Sequence, residues 1–246
     1  MALTGKNIQV LFHEVPITSY LDSVAVNRER PALETTTFGD GNRTYVKGQR
    51  NGSMSFSGFY EDTAIDAWDD DYESDVNPLV SVTYGTTAGS RANMIYGSES
   101  LVAINGSVTE LVRIDAEVNA KENAVDQGVL LFPLTTATTV TDADGATFDR
   151  GATATTPGGI VAFLHVTAIV GTLATLDVTV ETDSDPDMGS PAALITYNQV
   201  TVAGGATAAR KETAVVPNRY MRVTYTIVGS ATFAVTFASR QYPDDL

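Results

Sequence analysis

From Gly52 to Tyr60 the chain reads Gly-Ser-Met-Ser-Phe-Ser-Gly-Phe-Tyr, so Met54 and Phe56 alternate with Ser53, Ser55 and Ser57. A period of two sends successive side chains to opposite faces of an extended strand, which restricts the segment to a half-buried antiparallel sheet. The rhythm recurs at 20–30, where Val24, Val26 and Arg28 alternate with Ser23, Ala25 and Asn27. It recurs again at 108–120, with Val112, Ile114, Ala116 and Val118 on one face and Arg113, Asp115, Glu117 and Asn119 on the other. Further strands are predicted at 8–15, closed by Pro16, and at 77–84, 93–96 and 100–104. One segment changes period. Ile65, Trp68 and Tyr72 fall at i, i+3 and i+7, the stripe of an amphipathic helix, with Thr63 as its N-cap and acids in its first turn.

A chain of 246 residues, 43% hydrophobic and 18% charged, has the apolar content for two cores of about 100 to 150 residues each. Residues 134–159 are poor in large apolar side chains and dense in Thr, Ala, Gly and Asp, which predicts a boundary near 133–141 and domains at 1–134 and 135–246. The second domain shows strand patterns at 159–170, 174–181, 195–202, 220–228 and 230–238, separated by turn residues. That spacing predicts a β-sandwich. The expected fold class is mainly β: an N-terminal sandwich or barrel with one flanking helix, then a C-terminal sandwich.

The vocabulary of catalysis is missing. Cysteine is absent, which removes thiolate nucleophiles and cysteine-based metal sites. The two histidines, His13 and His165, sit in apolar strand patterns, as packed side chains do. No nucleophile elbow, phosphate loop or dinucleotide fingerprint occurs. Asp183-Ser-Asp-Pro-Asp187 opens like a calcium loop but has Met188 and Leu194 where Gly and Glu are required, so it reads as a turn, as does Asp142-Ala-Asp-Gly145. No signal peptide is visible, and the apolar run at 160–170 falls short of the ~20 residues of a membrane helix. The expectation is a non-enzymatic protein with no cofactor, metal or membrane partner.

The net charge of −15 argues against a surface that grips nucleic acid. Residues 1–134 carry a net −10 and residues 135–246 a net −5. Eight acids and no base lie within 61–75, so the acidity is a local patch on the predicted helix.

The order of parts in the first half is distinctive: the strand Tyr20-Leu-Asp-Ser-Val-Ala-Val-Asn-Arg-Glu-Arg30, then Glu34-Thr-Thr-Thr-Phe-Gly-Asp40, then a strand carrying Ser55-Phe-Ser-Gly58, then a helix. Over about residues 1–130 this resembles the tail tube (major tail) proteins of long-tailed bacterial and archaeal viruses. The resemblance implies six copies closing into a ring and rings stacking into a hollow tube of the virion tail, assembled in the host cytoplasm, through which DNA passes without specific binding. Tape measure, tail terminator and baseplate proteins would be its neighbours. Strands near 21–28, 53–60 and 108–120 would line the lumen, with Glu110, Asp115 and Glu117 as lining candidates and Arg113 and Lys121 as opposing charges. The loop at 31–50, carrying Thr36, Phe38, Arg43, Lys47 and Arg50, would reach the neighbouring ring, where its bases could meet an acidic contact patch at Asp69, Asp70 and Asp71. The second half resembles the immunoglobulin-like or lectin-like sandwiches appended to virion proteins. Two other readings fit a β-rich chain without catalytic residues: a capsid decoration or head-completion protein, and a carbohydrate-binding module using Tyr197, Tyr220 and Tyr225.

Overall fold

A computed structural model describes residues 7–37, 42–60, 77–107, 111–121, 125–151 and 159–239. The chain is mainly β. Its strands are β1 (Gln9–Phe12), β2 (Val15–Pro16), β3 (Leu21–Glu29), β4 (Ala32–Glu34), β5 (Tyr45–Lys47), β6 (Asn51–Phe59), β7 (Leu79–Thr83) and β8 (Arg91–Asn105). They continue with β9 (Arg113–Ala120), β10 (Asp126–Asp144), β11 (Phe148–Asp149), β12 (Ile160–Asp183), β13 (Ala192–Thr196), β14 (Val200–Thr201), β15 (Thr207–Thr213) and β16 (Tyr220–Ser239). The predicted helix lies within 61–76, outside the described residues.

The chain divides into two compact units, neither of them continuous. The larger comprises residues 1–19, 79–94 and 126–246, the smaller 20–78 and 95–125. This differs from a cut near residue 134, because β10 runs unbroken through that position and pairs with β16 from Gly128↔Ala238 to Asp144↔Thr224. The Thr-rich composition of 135–141 suits a strand as well as a loop, since threonine is β-branched and fits a pleated surface.

In the larger unit β12 and β16 pair antiparallel almost end to end, from Ile160↔Ser239 to Asp183↔Tyr220. Sequence reading placed turns at Gly171 and Gly229 and split each strand in two. The structure instead makes a bulge: residues 171–174 of β12 stand opposite Gly229 alone, between the pairs Val170↔Ser230 and Thr175↔Val228. Gly229 has a positive φ of 90°, and a Cβ there would lie 2.7 Å from the Val170 carbonyl oxygen, so the bulge requires glycine. β15 flanks the first half of β12 and β13 and β14 the second. On the other side of β16 the order continues through β10, the start of β8, β7, β1 and β2.

The alternation of β12 turns Ala162, Leu164 and Val166, then Leu176, Val178 and Val180, into a core shared with Val223, Phe233, Val235 and Leu131. Each large side chain buried there contributes about 1.5 to 3 kcal/mol. Phe132 stacks on Phe233 at 4.7 Å between ring centres, and Tyr225 meets both edge-on. The first strand ends sooner than its pattern suggested. His13 takes a φ of 49° and reverses the chain, so that β1 and β2 form a hairpin.

One polar thread crosses this core. His165, on β12, is fully buried, with Nε2 2.8 Å from the Ser81 hydroxyl and Nδ1 2.6 Å from the His13 carbonyl oxygen. A carbonyl only accepts, so Nδ1 carries the proton, Nε2 accepts from Ser81, and Ser81 in turn accepts from Thr236 at 2.8 Å. Burial pushes the imidazole down to about 4 from its ordinary 6.5, only partly offset by the bond to His13. The unfolded chain therefore binds a proton between pH 6.5 and 4 that the folded chain refuses, and stability is lost as pH falls through that window, by an amount on the order of 3 kcal/mol. Glu14, held below its usual range first by the His13 hydrogen bond, loses its own contribution only as pH falls below about 4.5, so a comparison with a variant isolates the histidine. The expected result is that urea unfolding of His165→Asn shows lower stability than the parent at pH 7.5 and a flatter dependence on pH between 6.5 and 4.

Candidate functional site

The smaller unit is built on a four-stranded antiparallel sheet in the order β3-β6-β9-β8, to which β8 contributes its second half. Sequence alternation identified three of these strands as one-sided, and the structure hydrogen-bonds them side by side. The register aligns their faces. Val24, Phe56, Ala116 and Val102 form one row across the sheet, and Val26, Met54 and Val118 form the next. Met54, Phe56, Ile114, Ala116 and Val118 on this face are all buried.

The opposite face holds the rows Ser23-Ser57-Asp115-Ala103, Ala25-Ser55-Glu117-Leu101 and Asn27-Ser53-Asn119-Ser98. Apart from Leu101 at one edge, its side chains are small or polar, and all remain half-buried or exposed. Asp115 accepts from the Ser57 hydroxyl and, at 3.2 Å, from the Asn105 amide. Glu117 lies in the adjacent row, between Ser55 and Leu101. The basic residues nearby are engaged elsewhere: Arg113 donates to Asp22 at 2.6 Å and lies over the Phe59 ring, and Lys121 lies over the Tyr96 ring at 6.0 Å. With Arg113 balanced by Asp22, Asp115 and Glu117 leave the face negative. Glu110 lies outside the described residues.

Among the described residues both edges of the sheet are open. Among the described residues β3 pairs with β6 alone, and residues 100–105 of β8 pair with β9 alone. Leu101 and Ile104 on that edge are 46% and 53% exposed, large apolar side chains on a strand with an unpaired backbone.

Between β3 and β6 the chain extends as a two-stranded arm, β4 with β5, in the register Ala32↔Lys47 to Glu34↔Tyr45. Leu33, Tyr45 and Val46 are each more than half exposed. Thr36 donates to Glu34 at 2.8 Å and accepts from the Thr44 backbone, while Arg43 pairs with Glu34 at 3.8 Å, so both residues stabilise the arm itself. Lys47 sits exposed on β5. Arg50 lies at the base, lining a cleft of about 320 Å³ with Arg28, Glu29, Arg30 and Val125. Phe38 and the patch at Asp69, Asp70 and Asp71 lie outside the described residues.

Sequence reading split β8 into two strands, at 93–96 and 100–104, and did not single out Asp22, Asn105, Arg28 or Arg30 as site residues. An irregularity in the pairing between Glu99 and Leu101 explains the split: Ser98 and Leu101 share the polar face, three positions apart, so a period of two breaks there. In the larger unit, the acidic turn at 183–187 is explained locally. Asp183 accepts backbone N–H groups from Asp185 and Ser190, which holds its carboxyl below the usual range.

No protein-family model and no curated protein matches the chain. Among solved structures, a chain of a native gene transfer agent virion aligns with 50% of this chain and 98% of its own length, at 13% identity and a TM-score of 0.42. A chain of the PVC sheath-tube complex of an extracellular contractile injection system, in its extended state, aligns with 52% and 93%, at 11% identity and a TM-score of 0.41. The SPP1 Dit protein, described as a hub adsorption apparatus of phages infecting Gram-positive hosts, aligns with 96% and 100%, at 10% identity and a TM-score of 0.36. Scores this low leave the functional reading to the geometry of the sheet itself.

The sheet depends on close backbone approach at Gly58, where an added Cβ would lie 2.1 Å from the Tyr20 carbonyl oxygen. Gly58→Ala must push β3 away from β6 and is expected to cost about 2 kcal/mol or more in urea unfolding. Gly189→Ala, with nothing within 4 Å of the new methyl, is expected to stay within about 0.5 kcal/mol of the parent.

Proposed function

We propose that the chain is the repeating subunit of a ring, and that stacked rings form the tube of a viral tail through which DNA passes. The observation that carries this is the four-stranded sheet with two open edges and one small, polar, acidic face. Four antiparallel strands are an even number, so β3 of a second copy set beside β8 continues the alternation, and each added copy meets the next in the same way. Head-to-tail repetition of one such contact either closes into a ring or grows into a filament, and strand tilt with sheet twist favours closure. Closure would hydrogen-bond the edge backbones of every copy at once.

Six copies, the number implied by the sequence resemblance, would give twenty-four strands. At a spacing of about 4.8 Å the wall is roughly 115 Å around and about 37 Å across before tilt, leaving a bore of about 25 Å once side chains are allowed for. With the buried face outward, the serines, Asp115 and Glu117 would line that bore. A wall of hydroxyls and repeated carboxylates, with the Arg113 guanidinium committed to Asp22, repels phosphate and offers it little to hold, so DNA moves without binding. The arm, with Leu33, Tyr45 and Val46 exposed, supplies apolar surface for a neighbouring ring, and the ends of the tube would meet tape measure, terminator and baseplate proteins. Such a subunit is structural and needs no catalytic group.

The carbohydrate-binding reading lacks its platforms. Tyr197 is buried, Tyr225 packs against Phe132 and Phe233, and Tyr220 lies beneath the Arg219 guanidinium at 5.0 Å. Negative-stain imaging of the concentrated protein is expected to show rings and short tubes. Ile104→Lys, which places a charge on the edge at a position already more than half exposed, is expected to sediment as a monomer. Trimers or isolated knobs from the parent chain would favour a capsid decoration role and overturn the proposal.

A further inference from the structure

The hydrogen-bond alternation of the small sheet shows what its two edges present. Tyr60 N–H bonds the Val112 carbonyl and Lys121 N–H bonds the Tyr96 carbonyl, so even-numbered residues of β9 turn their backbone groups to β6 and odd-numbered ones to β8. Carried across the pairs Phe56↔Ala116, Ala25↔Ser55 and Ala103↔Asp115, this leaves Val24 and Val26 on one edge, and Val102 and Ile104 on the other, with N–H and C=O groups facing away from the sheet. These four side chains share the apolar face, while Ser23, Ala25, Asn27, Leu101 and Ala103 share the polar one. Val24, Val26 and Val102 are half-buried and Ile104 is 53% exposed, so each edge leaves apolar surface as well as backbone uncovered among the described residues.

We infer that β8 of one copy pairs antiparallel with β3 of the next at a stagger of two residues, setting Ile104 beside Val24, Ala103 beside Ala25, Val102 beside Val26 and Leu101 beside Asn27. This rests on the ring reading and adds the register to it. Staggers must be even, since a slip of one residue sets the apolar face of one copy against the polar face of the next. With no stagger the row Ser23-Ser57-Asp115-Ala103 would run straight on into Ser23 of the next copy, whereas a closed sheet requires its strands to tilt and its register to advance. A stagger of two in the opposite sense carries Ile104 past Leu21, where β3 begins, and leaves it without a strand partner. A stagger of four tilts the strands more steeply, roughly 35° against roughly 20°. It also puts Val102 beside Arg28 and Leu101 beside Glu29, a charge against each apolar side chain. At two residues each apolar residue of the apolar strip meets another, Ile104 with Val24 and Val102 with Val26. Ala103 and Ala25 then form a pair of the closer, non-hydrogen-bonded kind, with Cα atoms about 4.5 Å apart.

The chain has no cysteine, so introduced thiols report on this contact alone. The double variant Ala25→Cys, Ala103→Cys is expected to give a reducible ladder of linked copies on denaturing gels after mild oxidation with copper phenanthroline. Linking is expected to be about tenfold faster than for Ser23→Cys, Ala103→Cys, which tests no stagger, or Asn27→Cys, Ala103→Cys, which tests four. Asn27→Cys, Leu101→Cys shares the two-residue stagger and is expected to link as fast as the first pair. The single variants are expected to give no ladder, because a head-to-tail contact brings no residue beside its own copy. Negative-stain imaging of each variant under reducing conditions runs alongside. Rings with faster linking at the pairs for no stagger or for four, or with no linking at either two-residue pair, overturn the stagger and leave the ring reading standing. Linking at the two-residue pairs without rings supports the register in an open string of copies and overturns closure. Neither rings nor linking by any pair overturns both.

Discussion

A strand with one neighbour leaves half of its backbone N–H and C=O groups facing outward, and among the described residues of the smaller unit two such strands bound the same sheet. Proteins that keep such edges from pairing place charges, prolines or bulges along them. β3 carries Asp22, Arg28 and Glu29, but Asp22 is committed to Arg113 and the other two lie at one end. Between them Ser23, Val24, Ala25 and Val26 offer no obstacle. The β8 edge from Ser100 to Asn105 has neither charge nor proline and exposes Leu101 and Ile104. These two edges have the composition of surfaces meant to be covered.

The faces of that sheet follow from the same constraint. A strand buried on both faces would be apolar throughout, whereas β6 and β9 alternate strictly, burying Met54, Phe56, Ile114 and Val118 while Ser53, Ser55, Asp115 and Glu117 face away. Arg113 is the clearest case of a residue whose sequence position misleads. It lies on the acidic face by periodicity, yet its charge is cancelled by Asp22, ninety-one residues away in the chain. No local pattern exposes such a pairing, and it decides the sign of the face.

What was legible in the sequence was the mainly β class and the strands whose alternation is unbroken: β3, β6 and β9. What was not legible has identifiable physical causes. Gly171 and Gly229 carry the signature of turns but serve a bulge, because a glycine in the left-handed region can relieve a crowded strand as readily as it reverses one. Residues 135–141 looked like a linker because low hydrophobicity was weighed above the strand preference of threonine. The division into units could not be read from composition, since each is assembled from separated stretches of chain and no linker marks the crossings at Met94 and Val125. Of the candidate residues, Asp115 and Glu117 share the polar face, Thr36 and Arg43 turn out to brace the arm, and Arg50 belongs to a cleft whose other arginines drew no attention in the sequence because they sit at the end of a strand pattern.

The charge distribution ties these parts together. Uniform acidity would serve a channel for DNA but would oppose the stacking of like-charged rings. The acids are unevenly placed: among the described residues Asp115 and Glu117 lie on the polar face, and a separate run of eight falls within 61–75 of the sequence. Serine and asparagine hydrogen bonds spread the charge of Asp115. A protein of strongly negative net charge can polymerise head to tail on these terms, since what matters at each contact is the local pairing of unlike surfaces rather than the total charge.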